Sequence, residues 1–297
     1  MHHLFLPTFL VRSAPLAITT LALLSLSSIA SAQIDSPVQS YARTYGLSIV
    51  DDVQLAGSDA AAASFQTGVL PSITELINTN LSETSQFSQS SAYMLDPTKL
   101  QMSVESNARV YFVGEGAGYH NTLGFNTLAP GESTPTASIT NSAQLIFPDV
   151  SSSVSTYDPG STANRSYWAP LLPGDFTNLG SFAAGTTLDF FLVANGANTW
   201  GDVWPAPATR NSDGINHVVA FAVPDSPFLI LAFEDLAGGG DRDYNDAIFA
   251  VDIGAINVQR LLSTPEPAAW VTVLALVGIA WVWRRRMGSD PSTGATA

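Results

Sequence analysis

The chain has 297 residues, 46% hydrophobic and only 12% charged, about half the usual charged share of a soluble domain. Its formal charge is −14, from 25 acidic and 11 basic side chains, which excludes a nucleic-acid binder dependent on a basic face. There is no cysteine, so disulfide frameworks, thiolate zinc sites and cysteine nucleophiles are excluded as well.

Residues 1–32 carry one cation, Arg12, then an apolar run from Ala14 to Ala30 and the small-x-small sequence Ala30-Ser31-Ala32. This pattern predicts a cleaved signal peptide and therefore export. Residues 33–105 read as an N-terminal appendage rich in Ser, Ala, Gln and Thr. Within it, apolar residues at 70, 73, 76, 77 and 81 predict a helix, with Pro71 in the first turn. From Ala108 onward, short apolar runs alternate with turn-forming clusters. The expected strands are Arg109–Val113, Ser138–Phe147, Thr187–Val193, His217–Val223, Phe228–Phe233 and Ala247–Ile253. Pro148–Gly160 and Trp200–Gly214 read as loops. Short strands without interleaved helices predict a mainly β domain at 106–256, an antiparallel, jelly-roll-like β-sandwich. A linker follows at 257–264. Without residues 1–32 and the segment after Pro267, seven basic side chains face 24 acidic ones, a balance of −17.

The C-terminus reads as a membrane segment. Pro265-Glu266-Pro267 precedes sixteen apolar or small residues and then Arg284-Arg285-Arg286. Sixteen helical residues span about 24 Å, short of a hydrocarbon core of about 30 Å. Trp270, Trp281 and Trp283 suit the two interfaces, and the arginines orient the tail to the cytoplasm. This order of elements resembles the PEP-CTERM sorting signal, over Pro265 to Arg286. The resemblance implies a bacterial surface or extracellular-matrix protein, a transient inner-membrane anchor, and an exosortase-type sorting enzyme as partner. The cytoplasmic tail, 287–297, is longer than that signal usually carries.

The densest chemistry lies at 233–246. Glu234, Asp235, Asp241, Asp243 and Asp246 place five carboxylates within thirteen residues, interrupted by Gly238-Gly239-Gly240 and offset by Arg242 alone. Flanking apolar runs predict a hairpin with a glycine-rich acidic connection. An extended segment would point Asp241, Asp243 and Asn245 one way. Oxygen ligands at this density suit a hard cation, and Ca²⁺ accepts six to eight of them in irregular geometry. The expected ligands are Glu234, Asp235, Asp241, Asp243, Asn245 and Asp246, with Asp213 and His217 behind them. The alternative is a solvated acidic loop. An EF-hand loop is excluded because Asp246 stands where glycine is needed, and an RTX repeat because Asp241 replaces its third glycine.

Phe233-Glu234-Asp235-Leu236, the glycine run, then Asp241-x-Asp243-Tyr244-Asn245-Asp246 resemble the bacterial domain-of-unknown-function family 4114. Val110–Tyr119, Phe190–Gly196 and Asp213–Val218 fit the same pattern. The resemblance implies a β-rich exported module, proposed to bind calcium, and carries no enzymatic activity. His120 has no evident partner in the sequence. Tyr167, Trp168, Trp200 and Trp204 fall in Pro- and Asn-rich loops, where they suit either packing or a sugar-stacking platform. The expected function is a calcium-binding structural or adhesive module, not an enzyme, that meets extracellular polysaccharide. The alternative is a secreted glycan-active hydrolase or a lectin-like protein. No Gly-x-Ser-x-Gly elbow or His-Glu-x-x-His helix occurs.

Overall fold

The computed structural model describes residues 38–81, 93–155, 163–223 and 225–263. The signal peptide, the sorting signal and the tail expected from sequence lie outside them. Ten strands follow in chain order. They are β1 (Met94–Leu95), β2 (Ser106–Gly114), β3 (Thr122–Leu128), β4 (Gln144–Phe147), β5 (Phe176–Phe182), β6 (Thr187–Val193), β7 (Val203–Pro205), β8 (Val218–Ala222), β9 (Phe228–Phe233) and β10 (Ala247–Asp252). They form a six-stranded sheet, β1-β8-β9-β10-β2-β5, and a four-stranded sheet, β4-β3-β6-β7. Every pairing between these ten strands is antiparallel. The mainly β, antiparallel class expected from sequence is thus present.

The apolar runs of β9 and β10 lack polar alternation because both faces are covered. Leu229, Leu231, Phe233, Phe249 and Val251 share one buried cluster with Leu123, Phe125, Phe190 and Leu192 of the other sheet. Phe147 of β4 stacks on Phe249 of β10 at 5.8 Å. The alternate residues Phe228, Ile230, Ala232, Ile248 and Ala250 meet a helical layer instead. That layer is α1 (Ala60–Ser64), a π-helical turn (Phe65–Val69) and α2 (Leu70–Asn80). Asp59 caps α1 by accepting from the Ala62 N–H at 2.7 Å. It also pairs with Arg109 of β2 at 2.8 Å. Phe65 stacks on Tyr111 at 3.9 Å, and Ile73 and Ile77 continue the buried stripe. A last helix, α3 (Ala255–Ser263), follows β10. Among the described residues no helix is long and apolar enough to cross a membrane.

Three sequence expectations change. Ser138–Phe147 is strand only at Gln144–Phe147; Thr140 is instead held by the Asn126 side chain, to which its N–H donates at 2.9 Å. The expected loop Trp200–Gly214 contains β7, paired with β6. β3 and β5 were unread because they bury Thr122, Asn126 and Thr177. Tertiary partners satisfy these polar groups: the Asn126 amide donates to Asp189 at 2.8 Å and the Thr122 hydroxyl to the Pro148 carbonyl at 2.8 Å.

Candidate metal centre

β9 and β10 form the hairpin expected across the acidic stretch, with Ala247 opposite Phe233. The next residues outward, Glu234 and Asp246, therefore stand at its mouth. The Asp235 N–H donates to the Asp246 carboxylate at 2.8 Å and narrows that mouth. The connection is not extended. Gly238, Gly239 and Gly240 have positive φ, as do Arg242 (φ 64°) and Tyr244 (φ 59°). Left-handed residues at 242 and 244 flank Asp243, so coiled backbone groups the acids in place of strand alternation. The coil passes close over Glu234. Gly240 leaves no room for a Cβ, which would overlap Glu234 Oε1, and the Arg242 N–H donates to Glu234 Oε2 at 3.2 Å.

Two carboxylate triplets result, and Glu234 belongs to both. Glu234, Asp241 and Asp243 bring oxygens within 4.8 Å of one another, as do Glu234, Asp235 and Asp246. Glu234, Asp235, Asp243 and Asn245 are buried, whereas Asp241 and Arg242 are exposed. The Asn245 amide lies against the Asp243 carboxylate. Asp213 and His217 stand behind the loop. His217 is fully buried, with Nδ1 donating to the Glu234 carbonyl at 2.9 Å. Its Nε2 meets Asp213 Oδ2 at 2.9 Å, and the same oxygen accepts from the Gly238 N–H at 2.8 Å. Asp213 thereby ties the histidine to the glycine run.

Three supporting residues were not assigned to this site from sequence. Trp204, grouped there with loop aromatics, is fully buried. It stacks on His217 at 3.8 Å and 7° and donates its indole N–H to the Asp235 carbonyl at 2.8 Å. Asn121, just before β3, donates to the Asp235 carboxylate at 2.7 Å. Glu115, just after β2, is buried beside Asp149 and Asp235. These groups arrive from separate strands, so no local spacing marks them. His120 does have partners: its Nδ1 meets Asp149 at 3.1 Å and Ser151 Oγ at 3.0 Å. Both contacts use one ring nitrogen, whereas a Ser–His–acid relay uses both.

Burial and mutual repulsion hold protons in the cluster. Burial, then the charges of Asp235 and Glu234, push Asp246 up to about 9. Glu234 is raised by burial and by Asp241, Asp243 and Asp235. Asp235 is raised by burial, and Asp243 by burial and Asp241. Burial takes Glu115 up to about 7, helped by Asp149 and Asp235. Asp213 behaves oppositely. Burial works to raise it, but hydrogen bonds from Gly238, Ile215 and His217 outweigh that and hold it at about 2. The cluster therefore offers hard oxygen donors that repel one another when ionised.

Residues 182–254 match the family model described as domain of unknown function (DUF4114). The match runs from the end of β5 through the acidic hairpin to the end of β10. It supports the resemblance carried by the 233–246 signature, and the family's description names no activity. Comparisons with curated proteins and with solved structures returned no match.

Proposed function

We propose that this chain is an exported, non-enzymatic β-sandwich module that binds Ca²⁺ in its β9–β10 hairpin and serves a structural or adhesive role at the cell surface or in extracellular matrix. The observation that carries the metal is the grouping of the Glu234-centred oxygens within 4.8 Å. Oxygens that share one calcium ion, each about 2.4 Å from it, lie at most about 4.8 Å apart, a limit both triplets meet. A cation would also discharge the repulsion that raises Asp246 and Glu234. The buried cluster shared by the two sheets supports a jelly-roll-like sandwich. Export, an exosortase-type partner and surface localisation rest on the N-terminal signal pattern and on Pro265–Arg286.

The test is thermal unfolding of the purified protein in EDTA, in millimolar calcium and in millimolar magnesium. Calcium at a hundredfold over Kd adds about 2.7 kcal/mol, a rise of several degrees in Tm. Magnesium, which demands a stricter octahedron, is expected to give a smaller rise. An unchanged Tm in calcium would return the loop to a solvated acidic turn.

A further inference from the structure

A second cleft includes none of the hairpin carboxylates in its lining. This open cleft of about 840 Å³ is lined by Tyr45, Trp200, Asp202, Arg210 and Asn211, among others. Its aromatic wall is held in place on both sides. Tyr45 has left-handed backbone (φ 55°, ψ 19°), a conformation that costs a non-glycine residue energy and persists only where its surroundings enforce it. Its hydroxyl donates to the Gly201 carbonyl at 2.7 Å. Gly201 leaves no room for a Cβ beside the Ala194 carbonyl, so the chain carrying Trp200 hugs the end of β6. The two rings lie 5.4 Å apart at 38°. Trp200 nevertheless remains 65% exposed: the aromatic surface is fixed yet open to solvent.

The polar lining restricts what this wall meets. Arg210 is a cation already engaged, since it contacts both Asp189 oxygens at 2.8 and 3.0 Å and donates to the Ala206 and Ala137 carbonyls. The Arg210 Nε has no partner but is buried, and the Asp189 pair neutralises the guanidinium charge, so little is left to attract phosphate, sulfate or carboxylate, which the chain's −14 charge also repels. Asp202 is exposed and offers a hydroxyl acceptor. Asn211 is 7% exposed, and its Oδ1 is buried without a hydrogen-bond partner among the described residues. That oxygen is sealed from solvent beneath the cleft surface, so the exposed Asp202 carboxylate is the acceptor that a ligand meets. Ile139 and Val203 are the aliphatic residues of the lining, too little for a purely apolar ligand. A rigid aromatic face beside an exposed carboxylate acceptor and a neutralised cation suits a molecule with a C–H face and a hydroxyl rim.

We propose that the Tyr45–Trp200 cleft is a binding site for neutral carbohydrate, with pyranose rings stacked on Trp200 and hydroxyls bonded to Asp202. This site is independent of the calcium hairpin and would stand if that reading failed. The test is affinity electrophoresis and titration calorimetry of the full chain in calcium-containing buffer. The probes are soluble neutral glucans and galactomannan, alginate as an acidic polysaccharide, and a casein tryptic digest as peptide. A neutral glycan is expected to bind, with at least tenfold weaker binding for Trp200→Ala and for Asp202→Asn. Trp168→Ala, which removes an exposed tryptophan outside the cleft, should bind as the parent does. Circular dichroism should show both tryptophan variants folded, because both rings are solvent-facing. Full binding by Trp200→Ala, or equal loss in Trp168→Ala, overturns the location. Binding confined to alginate or to peptides overturns the ligand class, and no binding to any neutral glycan overturns the site.

Discussion

At Gly240 the backbone is left-handed (φ 42°) and a methyl group would strike Glu234 Oε1. Gly240→Ala therefore combines backbone strain of about 1–2 kcal/mol with displacement of the carboxylate common to both triplets. Urea unfolding in EDTA should show that loss, and calcium should no longer restore stability. If the variant keeps the parent's calcium response, Glu234 is not a ligand. The neighbouring acids should behave differently, because in metal-free protein they repel more than they hold. Asp241→Ala and Asp243→Ala are expected to abolish the calcium-induced rise in Tm while leaving the melt in EDTA unchanged or higher. Asp241 is the cleaner of the two, being exposed, whereas Asp243 also holds Asn245. Equal losses with and without metal would mean that these carboxylates only shape the turn.

At the scale of elements, the outer face of the six-stranded sheet depends on one amphipathic stripe. Leu70, Ile73, Ile77 and Leu81 are buried against β9, β10 and their neighbours. Ile73→Ala, at a fully buried position, should cost about 2–5 kcal/mol, read as a shift of the urea midpoint at constant m-value. A cost below 1 kcal/mol would mean that the helix is not coupled to the sheet. This stripe was legible because its 3.6-residue spacing is local; Phe228–Phe233 was legible as an uninterrupted apolar run, and Thr187–Val193 through its apolar end Phe190–Val193. β3 and β5 were not. Their Asn126, Thr122 and Thr177 look like loop residues until distant chain supplies the hydrogen bonds that let them be buried. The site divides in the same way. Five carboxylates and three glycines are contiguous in sequence, whereas Asn121, Glu115 and Trp204 reach the cluster only through strand pairing. The extended path expected between Asp241 and Asn245 failed for a related reason. The Glu234 carboxylate beneath the loop and the positive φ angles at Arg242 and Tyr244 are set by tertiary packing, not by the Asp-x-Asp spacing.

For the whole molecule, acidity makes stability a function of pH, and calcium should remove part of that dependence. Burial raises Glu115 from 4.5 to about 7, and burial with two neighbouring charges raises Asp246 from 3.8 to about 9. Between the ordinary and the raised values, the folded protein holds protons that the unfolded chain has released. Stability carried by these groups is complete below their unfolded values and is lost as pH rises through about 7 and then about 9. Asp213, held at about 2, works in the opposite direction: its contribution is present above its ordinary value and is lost as pH falls towards 2. Calorimetry in EDTA should therefore find the highest Tm near pH 4 and a continuous fall from there towards pH 9. Asp246→Asn keeps the burial but removes the titration, and should flatten the upper part of that fall. Because calcium takes the place of the retained protons, its effect on Tm should be larger at pH 8 than at pH 5. At saturating calcium the part of the fall carried by Asp246 should disappear, leaving the part carried by Glu115. An upper fall that persists in saturating calcium, yet flattens in Asp246→Asn, would show that the cluster is a buried proton store and not a cation site.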